Sequence, residues 1–163
     1  MTSNTGSEPV ERSRAVVAGH GDFAAGMISA VGRICGQEGC FAAFTNQGLC
    51  GDDLMQSLAR VVDSVDARVV FTDLPAGSAT MAARRLQGAR PGLVVVTGVN
   101  VAVLLDFALR GSAVTPEEAA AHAVERGRAA VAVLPPPVAL PPVAPAAPRT
   151  PPLPAASSGG TGA

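Results

Sequence analysis

The chain has 163 residues, with 12 arginines and no lysine set against 13 acidic residues, for a formal net charge of −1. A near-neutral chain that lacks Trp and Tyr shows no basic face and few stacking platforms, which argues against nucleic acid as a partner. Its length supports one domain with a core of its own. The three cysteines, Cys35, Cys40 and Cys50, show no CxxC and no metal-ligand spacing, which points to reduced thiols in a cytoplasmic protein.

Residues 1–13 are polar and read as a flexible N-terminus without the apolar core of a signal peptide. "RAVVAG" (Arg14 to Gly19) reads as a first strand. Phe23, Met27, Val31 and Ile34 then recur at helical spacing, with Asp22 placed as N-cap. "CFAAFT" (Cys40 to Thr45) is a second strand, and Leu54, Leu58, Val61, Val62 and Val65 mark a second helix. "RVVFTD" (Arg68 to Asp73) is a third strand, followed by the small-residue loop "LPAGSA" and a helix to about Leu86.

The run Leu93 to Leu109 imitates a membrane span, but Thr97, Gly98, Asn100 and Asp106 interrupt it. It divides into a fourth strand (Gly92 to Gly98), a turn and a helix (Val101 to Leu109). Thr115, Pro116, Glu117 and Glu118 form a helix start, and "AAVAVL" (Ala129 to Leu134) is a candidate fifth strand. His122 sits mid-helix among alanines and reads as solvated. Ten of the 14 prolines fall between Pro135 and Pro154, ahead of "SSGGTGA", so residues 135–163 read as a disordered tail on a domain spanning 14–134.

Strands alternating with helices imply an α/β fold, a doubly wound and mainly parallel sheet. Ligands of such sheets bind beyond the carboxyl ends of the strands, where strand order reverses. In a sheet ordered 2-1-3-4 that crevice lies between the first and third strands. His20 follows one and Asp73 ends the other, beside two helix N-termini that favour an anion, phosphate above all. A carboxylate beside an imidazole fixes its tautomer and leaves the other nitrogen free to attack. His20, Asp73 and Ser78 therefore read as nucleophile, orienter and phosphate clamp. Gly77 belongs to the same amide-bearing loop, and Gly21 turns the chain sharply to leave the ring accessible.

Singly, these residues have plain readings: an idle histidine in a turn, an aspartate capping a helix, a Gly-Ser in a loop. Their placement at the same end of adjacent strands is what makes them a site. Gly19, Gly21 and Ala24 also satisfy G-x-G-x-x-A, but no acidic residue ends the second strand, as a dinucleotide site requires. A Walker lysine is absent, and so is a G-x-S-x-G elbow.

The segments "VVAGHGDFAAGMISA", "VVFTDLPAGSA", "VVVTGVNVAVLLD" and "AAAHAVERGRAAV" resemble, in that order, the EIIA component of the mannose family of the bacterial phosphotransferase system. The resemblance covers Arg14 to Leu134. It implies that His20 is transiently phosphorylated by an HPr-like phosphocarrier and passes the group to an EIIB component, which phosphorylates an incoming sugar at a membrane permease. It further implies that Asp73 hydrogen-bonds that histidine, that Ser78 belongs to the phosphate-holding loop, and that copies dimerise by exchanging a C-terminal strand, a role "AAVAVL" would fill. Transfer between histidines needs positioning and charge stabilisation, so no metal or cofactor is expected.

The chain departs from the family pattern at Ala76 (usually Gly), Ala79 (usually Pro), Met81 (usually Asn) and Ala102 (usually Pro). A Cβ at position 76 is penalised wherever that position requires positive φ. Two other readings share these residues. One is the phosphotransfer subunit of dihydroxyacetone kinase, and the other is a non-catalytic regulatory module of the same fold. The Pro/Ala-rich tail resembles a linker between EIIA and EIIB, which fits a stand-alone EIIA or a piece of a longer protein.

Overall fold

The computed structural model describes residues 14–110 and 114–135. The N-terminal residues 1–13 and the proline-rich segment from 136 onward, read above as flexible, lie outside the described residues. Four apolar runs form strands: β1 (Ala15–Gly19), β2 (Phe41–Thr45), β3 (Val69–Thr72) and β4 (Val94–Thr97). They pair in parallel in the order β2-β1-β3-β4. Ala15 stands opposite both Phe41 and Val69, and Val69 opposite Val94, so the carboxyl ends of the strands line up along one edge.

Five helices surround the sheet among the described residues: α1 (Phe23–Cys35), α2 (Gly51–Ser64), α3 (Ser78–Ala89), α4 (Val101–Leu109) and α5 (Pro116–Ala129). The period-two alternation of strand side chains assigns them to two layers. Ala15, Val17, Val69 and Phe71 face α1, α4 and α5 in a core that includes Val31, Leu104, Phe107 and Ala123. Val16, Ala18 and Val70 face α2 and α3, against Leu54, Leu58, Val62, Ala83 and Leu86. Phe71 meets Phe107 edge-on, with ring centroids 5.0 Å apart, an arrangement that adds to the burial of the two rings.

The helix starts follow the sequence signals with one exception. Thr115 caps α5 in a full capping box, its side chain accepting from the Glu118 N–H while Glu118 reaches back to the Thr115 N–H. Asn100 caps α4 by accepting from the Val103 N–H and donates to the Gly127 carbonyl at 2.9 Å. Gly127 lets α4 and α5 approach this closely, since a Cβ there would lie 2.1 Å from Val103 Cγ2. Asp22 does stand at the N-cap of α1, but its side chain makes no capping hydrogen bond.

One expectation needs correcting. Ala129 to Leu134 do not form a fifth strand in the single chain: α5 continues through Ala129, and residues 131–135 carry no regular structure. The helical pattern of "AAHAVERGRA" outlasts the start of the apolar run, and Val131 is left 75 % exposed. Among the described residues no helix is long and apolar enough to cross a membrane, and Leu93 to Leu109 divide into β4, a turn and α4 as read from the sequence.

Candidate functional site

The shared carboxyl-terminal edge of β1, β2 and β3 brings the candidate residues together. His20 follows β1 directly, and Gly21 turns the chain with φ +50° before α1 begins. A side chain at 21 would meet nothing within 4 Å, so glycine is needed here for its backbone conformation and not for space. At Gly19 the reason is reversed. A Cβ would lie 2.6 Å from Phe23 Cδ1 and 2.9 Å from Asp73 Oδ2, so the absence of a side chain is what lets Asp73 reach across.

Asp73 Oδ2 accepts from His20 Nδ1 at 2.6 Å and from the His20 backbone N–H at 2.9 Å, while Oδ1 accepts from the Leu74 N–H at 2.8 Å. Burial pushes the Asp73 carboxyl up, but the hydrogen bonds from the His20 ring, the His20 backbone and Leu74 outweigh it and hold the group below its ordinary range. A carboxylate only accepts, so the proton of the neutral ring lies on Nδ1 and the lone pair on Nε2. The His20 side chain is 53 % exposed against 9 % for Asp73, so the orienting group is sheltered and the reactive edge open.

The loop from Asp73 to Ser78 forms the opposite wall. The Gly77 N–H bonds the Leu74 carbonyl at 3.1 Å, closing a turn with Pro75 second and Ala76 third. Among the described residues Asp66 is the only non-glycine with positive φ, so Ala76 adopts the turn without strain and its Cβ carries no backbone penalty. Gly77 is the glycine of this loop that sits against the histidine. A Cβ there would lie 3.4 Å from His20 Cε1 and 3.3 Å from the Leu74 carbonyl, between the imidazole and the start of α3. Gly77 is the N-cap of α3 and offers no capping side chain. The N–H groups of Ser78, Ala79 and Thr80 therefore open the helix beside the ring, where an anion is favoured.

Three polar residues that sequence reasoning passed over also shape the site. Thr80 and Thr72 are buried, and Thr80 Oγ1 lies 2.6 Å from both Thr72 Oγ1 and the Leu74 carbonyl, which fixes the loop to the end of β3. Asn46, the first residue after β2, donates from Nδ2 to Ser78 Oγ at 2.7 Å. Asn46 also follows a strand at the carboxyl edge of the sheet, one strand over from the crevice between β1 and β3, so the edge rule that points to His20 and Asp73 covers it as well. Ala79 is fully buried among α2 and α3, and Met81 is 53 % exposed on the rim. Among the described residues no cluster of three or more His, Cys, Asp or Glu is placed to hold a metal ion.

His122 is about half exposed, as expected, but it is not idle. Its Nδ1 bonds Asp106 Oδ2 at 2.8 Å, Arg110 Nη2 lies against both nitrogens of the ring, and Arg110 Nε bonds the same carboxylate at 3.0 Å. This second histidine–aspartate pair joins α4 to α5.

The fold and site together define a doubly wound α/β domain with a carboxylate-oriented, exposed histidine at the switch point of its parallel sheet, beside a helix N-terminus. The family described as "PTS system fructose IIA component" matches residues 14–124, and the chain belongs to that family, the IIA components of the mannose/fructose branch of the phosphotransferase system. Among solved structures, the mannose/sorbose-specific IIA subunit of the phosphotransferase system from Enterococcus faecalis is 25 % identical with a TM-score of 0.65, over 78 % of this chain and 98 % of that one. Phosphotransferase component EIIA from Streptococcus agalactiae has the same fold at 19 % identity and a TM-score of 0.64, over 74 % and 95 % of the two chains. The IIA protein associated with the fucose utilisation operon of Streptococcus pneumoniae does so at 22 % and 0.59, over 70 % and 90 %. No curated protein matches the chain.

Proposed function

We propose that this protein is a phosphoryl carrier of the sugar phosphotransferase system, accepting phosphate on His20 from an HPr-like phosphocarrier and passing it to an EIIB component. One observation carries the reading: Asp73 holds His20 through Nδ1, Nε2 makes no protein hydrogen bond among the described residues, and the ring lies with Cε1 close to Gly77, the N-cap of α3. The Nε2 lone pair attacks phosphorus, the donor's P–N bond breaks, and the donor imidazole leaves with the electron pair. Positive charge develops on the His20 ring and is offset by the Asp73 carboxylate. The Ser78 hydroxyl and the N–H groups at the start of α3 hold the phosphoryl oxygens. Transfer in the reverse sense, onto EIIB, uses the same contacts. Positioning and preorganised charge supply the catalysis.

Exposed Leu74, next to Asp73, and exposed Met81, in the first turn of α3, give a protein partner apolar surface to dock on. The family match and the mannose/sorbose-specific relative favour sugar transport over the dihydroxyacetone kinase pathway. The protein would act in the cytoplasm, reach a membrane permease through EIIB, and pair with a second copy of itself.

The test is intact mass after incubation with phosphoenolpyruvate, Enzyme I and HPr. Wild type should gain one acid-labile phosphate, and His20→Ala none. No gain in wild type, with HPr itself phosphorylated and the protein folded, would overturn the carrier reading in favour of a binding module.

A further inference from the structure

Asn46 has no part in the reading above, yet it is tied into the site at both ends. Its backbone N–H bonds the Gly19 carbonyl at 3.1 Å, one residue before His20, and its own carbonyl accepts from the Leu49 N–H at 3.1 Å. The half-buried side chain then leaves the end of β2 and donates from Nδ2 to Ser78 Oγ at 2.7 Å, at the start of α3. In the strand order 2-1-3, this bond links the segments flanking β1, the strand that presents His20.

The direction of the bond matters. A serine hydroxyl has one proton and two acceptor sites. With Asn46 donating, one acceptor site is filled and the Ser78 proton stays uncommitted. The Ser78 hydroxyl is then able to donate, which is what an incoming phosphoryl oxygen needs. An acceptor at position 46 would draw that proton away and turn the hydroxyl's lone pairs toward the phosphate.

We infer that Asn46 is a positioning residue for phosphoryl transfer, acting through Ser78 by keeping the hydroxyl proton free and aimed at the phosphoryl group on His20. This rests on the carrier reading of the site. It adds a requirement that reading does not contain: a donor, and not merely a polar group, at the end of β2.

The experiment is a double-mutant cycle on the full chain, comparing wild type, Asn46→Ala, Ser78→Ala, the double variant and the isosteric Asn46→Asp. Phosphorylation of His20 is followed with two donors: phosphorylated HPr, and the small molecule phosphoramidate, whose P–N bond breaks with loss of ammonia. Asn46→Ala should lower the rate about tenfold, the size of one hydrogen bond strengthened by charge. With HPr the fall should appear in kcat, with KM unchanged. The double variant should be no slower than Ser78→Ala. Asn46→Asp should be slower than Asn46→Ala although it preserves shape, the reverse of what a packing role predicts.

If the double variant loses a further tenfold beyond Ser78→Ala, or Asn46→Asp exceeds Asn46→Ala, the inference is overturned while the carrier reading stands. If phosphoramidate shows the coupling and HPr transfers nothing, the partner is wrong and the role of Asn46 stands. Failure of both donors to label His20 removes both.

Discussion

Two histidine–aspartate pairs share the same primary contact, Nδ1 to a carboxylate oxygen, at 2.6 Å for His20–Asp73 and 2.8 Å for His122–Asp106. Their surroundings make them different objects. In the first pair both partners leave strands, and the other contacts on Asp73 are two backbone N–H groups. Nε2 of His20 has no protein partner among the described residues, and the ring lies close to Gly77 at the start of α3. In the second pair both partners ride on helices, and Arg110 bonds the carboxylate while Arg126 stands 3.9 Å from it. The same Arg110 lies 2.6 Å from Nε2 of His122. One pair is oriented and leaves its outer ring edge without a protein partner among the described residues; the other is closed over by Arg110, whose Nη2 lies against both ring nitrogens, and serves as a clasp between α4 and α5. A motif-level description would not separate them, and the guanidinium over the second ring does.

The largest expected effect follows from that asymmetry. Asp73→Asn should cut the rate of His20 phosphorylation on the order of a hundredfold, because an amide neither fixes the tautomer as firmly nor offsets the charge that develops on the ring. Asp106→Asn should leave the rate unchanged and lower the unfolding midpoint. Phosphorylation kinetics and thermal melts on both variants decide it. Equal losses of rate would mean that the two pairs are coupled and the contrast is wrong.

The glycines offer a second way to break the comparison. Gly19→Ala drives a Cβ to 2.9 Å from Asp73 Oδ2, and Gly127→Ala drives one to 2.1 Å from Val103 Cγ2. Each should destabilise the fold by about 1–3 kcal/mol through overpacking. Only Gly19→Ala should also slow phosphorylation, since only there does the clash fall on the orienting carboxylate.

The first pair was legible in the sequence and the second was not, for a physical reason. Parallel strands in register place their carboxyl-terminal residues on one edge whatever the detailed packing, so strand order alone puts His20 and Asp73 face to face across 53 positions of sequence. Asp106 and His122 meet only because α4 and α5 pack at one rotation and height, and helical periodicity leaves both quantities open. The same limit hid Thr80, whose burial depends on how α3 seats over β3. Asn46 was available to the edge rule and was missed because the residue type sought there was acidic. The run Ala129 to Leu134 has the apolar pattern of a strand, but beyond the end of α5 residues 131–135 have no neighbouring strand to pair with in the single chain.

Acid separates the pairs less sharply. Both carboxyls sit below their ordinary value: burial raises each, and the hydrogen bonds from His20 and the backbone in one case, from His122 and Arg110 in the other, outweigh it. A depressed folded-state value means that the unfolded chain takes up the proton first. The stability each carboxylate contributes is therefore present above the unfolded value of about 3.8 and is lost as pH falls through the folded one. Denaturant unfolding of wild type against Asp106→Asn should show a difference at neutral pH that shrinks below about pH 4. A difference that grows with acid would mean the carboxylate is unfavourably placed.

The smallest effect concerns how the clasp is set. α5 begins at the capping box of Thr115 and Glu118, with Pro116 in the first turn, and the cap lies seven residues before His122. Thr115→Ala removes one acceptor for the opening N–H groups and should cost about 1 kcal/mol. The loss should appear as a lower melting temperature and faster amide exchange over Ala119 to Ala123, while His20 is phosphorylated at the wild-type rate. Such locality is expected because β1 and β3 fix the first pair without help from α5. A slower rate in Thr115→Ala would show that strain at the α4–α5 clasp reaches the sheet edge, most directly through Asn100, which caps α4 just beyond β4 and holds the Gly127 carbonyl of α5.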